Sequence, residues 1–274
     1  MNTKEITIEA GKTEGQYWKD LWTYRELFYF LAWRDILVRY KQTAIGIIWA
    51  LLRPLLTMVV FTIIFGKIAN LPSGDTPYPI LVFAALLPWQ FFSNAFSESG
   101  NSLIGNSHLI SKVYFPRLVI PTSSVIVSFV DFIISGAILF ALMIFYNYWP
   151  TWRILTLPLF ILIAFTASMG MGLWIAAMNV KFRDFRYIVP FIVQFGLYIS
   201  PVGFSSSVIP DKWRFIYSLN PMVGVIEGFR WAILEENTTF YLPGFGLSIV
   251  LVTIIFIYSL KFFRRTERTF ADII

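Results

Sequence analysis

Six stretches of the chain are almost wholly apolar and about twenty residues or more long, and they limit what it can fold into. They lie at 45–65, 79–96, 118–146, 154–178, 187–204 and 242–263. A helix of about 20 residues rises far enough to cross the hydrocarbon core of a bilayer. It also bonds its own backbone groups, which lipid cannot do. Hydrophobic residues make up 57% of the chain and charged ones 14%, against about 45–50% and about 25% in soluble domains. The expected fold is an all-α polytopic membrane protein with six transmembrane helices.

An even number of spans puts both termini on one side. The N-terminal arm, the loops 97–117 and 179–186 and the C-terminal tail carry sixteen Lys and Arg, counting Lys261 at the inner end of the last span. The opposite segments, 66–78, 147–153 and 205–241, carry five. Basic residues collect on the cytoplasmic side, so both termini are expected in the cytoplasm. The same asymmetry accounts for the net charge of +6 without a nucleic-acid partner. The first forty residues lack the short apolar core of a cleavable signal peptide. With no cysteine, disulfides, Cys-ligated metals and thiol catalysis are excluded.

Two segments are neither spans nor ordinary loops. After a polar tail at 1–15, residues 16–41 mix Trp, Tyr and Phe with scattered charges. They are expected to form an amphipathic interface helix in the headgroup region, the alternative being a helix that runs on into the first span. Residues 42–274 form the six-helix membrane domain. Within it, 205–241 is too polar to span and too apolar for a free loop, and is interrupted by Pro210, Pro221 and Gly228. It is expected to form two short re-entrant helices, which need protein or a water-filled cavity around them.

Catalytic patterns are scarce. Gly11-Lys12-Thr13 resembles the end of a phosphate loop, but Ile6 stands where that loop needs glycine. His108 is the one histidine, so no His-based metal site and no repeated acid–base set is available. Asp131 inside the third span and Glu98 at the inner end of the second are too few for a proton relay. Asp131 reads as a hydrogen-bonded structural group, with Arg53 a candidate partner.

Arg53 and Pro54 sit together inside the first span. An arginine at mid-span costs about 2.5–3.5 kcal/mol on insertion scales. Helical spacing aligns Trp49, Arg53, Thr57 and Phe61 on one stripe. Facing a wet pathway, Arg53 could meet sugar hydroxyls or phosphates; otherwise it snorkels to the cytoplasmic interface. Trp89, Phe92 and Phe96 form an aromatic stripe on the second span, and Phe191, Phe195 and Tyr198 another on the fifth. Such stripes either stack on passing sugar rings or pack against lipid and neighbouring helices.

Longer stretches carry a family likeness. "YRELFYFLAWRDILVRYKQTAIGIIWALLRP", "PYPILVFAALLPWQFF", "KVYFPRLVIP", "VKFRDFRYIVPFIVQFGLYISPV" and "LNPMVGVIEGFRWAIL" resemble, in order, the membrane subunit of type-2 ABC exporters. The likeness is to the polysaccharide branch, which exports O-antigen, teichoic acid and capsule. It implies a permease without its own nucleotide site, paired as a homodimer. Two separate ATPase subunits, which bind the ATP and Mg, would dock on its cytoplasmic face, and the cargo would be lipid-linked polysaccharide crossing the inner membrane. It also implies an ATPase contact at the loop after the second span, here Leu103, Ile104, Ser107, His108, Leu109 and Ile110, whose apolar members would be exposed unless covered. Two other readings remain: an ABC-type exporter of a drug or simple lipid, and a membrane-embedded glycosyl- or acyltransferase. The second would need a carboxylate or histidine set beyond His108 and scattered acids.

Overall fold

The computed structural model describes residues 14–41, 46–74, 76–182, 184–234 and 240–270. Among these the chain forms eleven α-helices and no strand. They are α1 (Glu14–Thr23), α2 (Arg25–Lys41), α3 (Gly46–Phe61), α4 (Tyr78–Gly105), α5 (Ser107–Lys112), α6 (Val119–Phe145), α7 (Leu157–Lys181), α8 (Phe185–Ile199), α9 (Asp211–Tyr217), α10 (Pro221–Ile233) and α11 (Leu242–Thr266). A π-helical stretch, Thr62–Ile68, prolongs α3. The Gly11-Lys12-Thr13 triplet and most of the polar tail lie outside the described residues.

Five of the six apolar runs fall in helices long and apolar enough to cross a membrane: Leu51–Ile68, Tyr78–Gly105, Val119–Phe145, Trp152–Lys181 and Leu242–Thr269. The run at 187–204 differs. Its helix, α8, has 15 residues and so is about 22 Å long, short of a hydrocarbon core of about 30 Å. Pro201 is the cause. A residue before proline is driven out of the α region, and Ser200 is extended at φ −77°, ψ 151°. The apolar composition runs on past the point where the helix must stop.

α4 is the central column. Of its apolar window 83% is buried, against 17% for the α3 and α11 windows, 28% for α6 and 39% for α7. α3, α6 and α7 pack directly on α4, α11 packs on α7 and α10, and all four turn most of their surface outward. Small residues on α7 allow close approach, the usual device where lipid supplies no hydrophobic drive between helices. A Cβ on Gly172 would lie 2.6 Å from Ser99 Oγ of α4, and one on Gly170 3.0 Å from Phe256 Cα of α11.

The segment 16–41 is two helices broken at Tyr24, not one. Leu31 and Ala32 of α2 are buried in the protein while Trp22, Tyr29 and Phe30 are exposed. Apolar residues are thus needed on two faces, which is why the helix is poorly amphipathic. Residues 205–241 do contain two short helices, α9 and α10. Pro210 caps the first and Pro221 opens the second, where the Asn220 side chain accepts a bond from the Met222 N–H. Gly228 breaks nothing. It lies inside α10, where a Cβ would come 2.1 Å from the Phe160 ring. At the opposite end of the chain, the Tyr17 hydroxyl donates to Glu267 Oε2 at 3.0 Å. The Arg264 guanidinium lies 4.4 Å from the Tyr17 ring centre. The two ends of the described chain therefore meet at one end of the bundle.

Candidate functional site

A cavity of about 680 Å³ opens between α3, α4, α6 and α8, with the end of α2 at its edge. Each helix contributes polar groups: Arg53 and Thr57 from α3, Gln90, Asn94 and Glu98 from α4, Asp131 from α6 and Gln194 from α8. Trp89, Pro54 and Leu197 supply apolar wall. A pocket that mixes apolar wall with a few convergent polar groups is the usual form of a binding site. A second hollow, at the α1–α2 break, is lined by residues of 23–30 alone and brings no distant groups together.

The cavity's charges are mostly neutralised within the protein. Arg39, at the end of α2, donates to Asp131 of α6 and to Glu98 of α4. The Tyr40 hydroxyl donates to the other Asp131 oxygen. Burial, followed by the hydrogen bond to Asp131, pushes the Tyr40 hydroxyl up from its ordinary value, so it stays a donor. Asp131 is therefore a hydrogen-bonded structural group, as its position in a span suggests, but its partner is Arg39 and not Arg53. Arg53 is exposed on the cavity wall and makes no ion pair with a described residue. Thr57 turns its hydroxyl proton back to the Arg53 carbonyl at 2.9 Å.

The proposed pathway residues separate into groups. Arg53, Thr57 and Trp89 share the cavity wall. The Trp49 side chain lies outside the described residues. Phe92 and Phe96 are 3% and 0% exposed and do not line the cavity. Their rings stack at 5.8 Å, and Phe92 meets Trp89 at 5.5 Å. This part of the stripe is packing, because α7 and α8 cover it: Phe96 sits against Ile175 and Val189. Phe195 and Tyr198 are exposed on a face of α8 beside the one lining the cavity, and Phe195 stacks on Phe191 at 5.5 Å.

At the α4–α5 turn, Leu103 and Ile110 are buried within the chain, so the expectation that they are exposed is corrected. They belong to the buried core shared by the long helices. Ile104, Ser107 and Leu109 are half-buried and His108 is exposed. Arg34 of α2 donates to the Asn106 side chain of this turn at 2.9 Å. Among the described residues, no group of three or more His, Asp or Glu could hold a metal ion.

Residues missing from the sequence-based site include Arg39, Tyr40, Gln90, Asn94 and Gln194. Two acids inside spans signalled that a cation was needed, but nothing local distinguished Arg39 from the other basic residues of the N-terminal arm.

Comparison with known proteins adds identity to this geometry. The model of the family described as "ABC-2 type transporter" matches residues 26–234. The O-antigen export system permease protein RfbA of Myxococcus xanthus is 30% identical, over 91% of this chain and 96% of its own. An RfbA protein of Klebsiella pneumoniae is 27% identical over 88% and 92%. The polysialic acid transport protein KpsM of Escherichia coli is 25% identical over 73% and 78%.

Proposed function

The chain belongs to the ABC-2 type transporter family, and we propose that it is the membrane-spanning permease subunit of an ATP-driven exporter of lipid-linked, O-antigen-like polysaccharide. The relatives with the highest identities here carry O-antigen export in their names, and a more distant one polysialic acid transport. In this reading two copies pair around the route. Two ATPase subunits bind ATP and Mg and dock on the cytoplasmic face, and the chain adds no cofactor of its own. The chain sits in the inner membrane with both termini in the cytoplasm. α8 with its following turn makes the sixth crossing, α1 and α2 lie at the cytoplasmic headgroups, and α9 and α10 are the outer re-entrant helices.

The observation that carries the reading is the polar cavity among apolar helices, with Arg53 on its wall. An arginine on an apolar helix is tolerable where water or a polar cargo meets it. The Trp89 edge offers an aromatic surface beside it, and an aromatic face accepts a sugar's C–H groups without requiring one sequence of sugars. Exposed Phe195 and Tyr198 extend that surface toward the second copy. At the cytoplasmic end, half-buried Ile104 and Leu109, with Ser107 and His108, form the ATPase contact. Leu103 and Ile110 serve it from beneath.

The test is co-purification followed by transport. The chain, expressed with an ABC-type ATPase subunit from its own source, is reconstituted in vesicles with lipid-linked glycan. ATP-dependent movement of the glycan is the expected result. Purification without any ATPase, or movement of a drug or simple lipid in place of the glycan, overturns the reading.

A further inference from the structure

α8 carries one buried side chain, Val189, along its 15 residues, yet residues 200–203 directly after it are all buried. The backbone of this turn is capped from three directions. The Tyr217 hydroxyl of α9 donates to the Ile199 carbonyl at 2.7 Å. The Tyr78 hydroxyl of α4 donates to the Gly203 carbonyl at 2.8 Å. Arg230 of α10, 3% exposed, donates to the Val202 carbonyl at 3.0 Å and the Phe204 carbonyl at 2.6 Å. Its Nε reaches back to the Leu81 carbonyl of α4 at 3.3 Å.

Helix ends leave carbonyls without intrahelical partners, and a buried carbonyl left unbonded is costly. Pro201 prevents the helix from continuing, so side chains supply the donors. Arg230 is thus charged, buried and spent on backbone oxygens of two other elements. Only a planar fork of five N–H donors can serve three carbonyls in this way.

We propose that Arg230 is a positioning residue for the cavity, holding the turn at 200–204 and so setting where α8 stands. A helix with so little burial of its own takes its position from its anchor. The side chains that α8 turns to the cavity, Pro190, Val193, Gln194 and Leu197, are placed through that anchor. At Gly196 α8 rests on Trp89, where a Cβ would lie 2.5 Å from the indole ring, so a shift of α8 also uncovers the aromatic wall. The consequence for transport rests on the cavity being the export route; the placement of α8 does not.

The chain has no native cysteine, so single probes report cleanly. Gln194→Cys on α8 and Asn94→Cys on α4 both face the cavity. Each is combined with Arg230→Met or Arg230→Lys in the complete complex in native membranes, and thiol modification rates are measured. Arg230→Met leaves three carbonyls without their donor and is expected to change the Gln194→Cys rate by about tenfold or more, tenfold being the population shift that even one such lost buried hydrogen bond produces. The Asn94→Cys rate holds, and Arg230→Lys recovers part of the change. Equal rates at both probes with and without Arg230 overturn the proposal. So does a parallel change at both, which makes Arg230 general packing. If Arg230→Met does not accumulate, Tyr78→Phe removes one donor from the same turn and decides: a selective change at Gln194→Cys upholds the anchor, and no change overturns it. Failure of glycan transport alone leaves this thiol pattern intact and counts against the cargo reading instead.

Discussion

Arg39 is ion-paired with Asp131, 92 positions further along the chain, and the pair ties α2 to the middle of α6 beside the cavity. The same guanidinium holds Glu98 of α4. With side chains 32% and 16% exposed, the Arg39–Asp131 pair lies between a surface pair worth about 0–1 kcal/mol and a buried one whose breakage costs about 3–5 kcal/mol. Asp131→Ala is expected to cost about 1–3 kcal/mol and to lower the melting temperature in detergent. Arg39→Met with Asp131→Leu together should cost less than the sum of the two single changes. A strictly additive double mutant would mean that the contact contributes nothing.

Arg53 gives the opposite expectation. It is exposed and makes no ion pair with a described residue, so Arg53→Met should alter stability by no more than about 0.5 kcal/mol while export falls. Arg53→Lys, which keeps the charge, should retain more export than Arg53→Met. Thermal stability and surface polysaccharide, read on the same preparations, separate the two effects.

The aromatic stripe on α4 should divide at Trp89. Phe92→Ala and Phe96→Ala remove buried rings and should cost about 3–5 kcal/mol, so protein level and export fall together. Trp89→Phe keeps an aromatic ring on α4 but withdraws the indole edge that meets Gly196 and shortens the cavity wall, and export should fall at normal protein level. If export tracks protein level in all three, Trp89 is packing as well.

At the α4–α5 turn, Ile104→Asp with Leu109→Asp should release the ATPase while the permease remains folded. Leu103→Asp or Ile110→Asp should destabilise the permease itself, because both side chains are buried. Pull-down of the ATPase alongside detergent melting distinguishes contact from core. An intact complex with Asp at both Ile104 and Leu109 would remove this contact.

What was legible in the sequence follows from what each signal encodes. Apolar length is local and survives any packing, so five spans were readable in advance. The end of α8 was not, because apolar composition continues through Ser200-Pro201 although the backbone must leave the helix there. Spacing put Trp89, Phe92 and Phe96 on one face, but a face says nothing of what covers it: neighbouring helices bury all three rings, α8 resting on Trp89 at Gly196, and only Trp89 still reaches the cavity wall. The Arg39–Asp131 pair joins positions too far apart for any local pattern. Arg230 looked like one more basic residue among those outside the spans; its three carbonyl partners exist only once α4, the α8 turn and α10 are assembled.

The topology has its own check. A thiol reagent that cannot cross membranes should modify a Ser73→Cys variant in intact cells and leave a Ser107→Cys variant untouched. Reversed labelling would place the basic segments outside and remove the assigned orientation.

The central claim, that this chain exports lipid-linked polysaccharide, is tested most directly by the glycan left behind when it is removed. Cells lacking the chain should lose surface polysaccharide and accumulate the finished lipid-linked polymer on the cytoplasmic leaflet. Wild-type protein should clear it, and Arg53→Met should clear it poorly. Normal surface polysaccharide with no internal polymer in those cells would contradict the account.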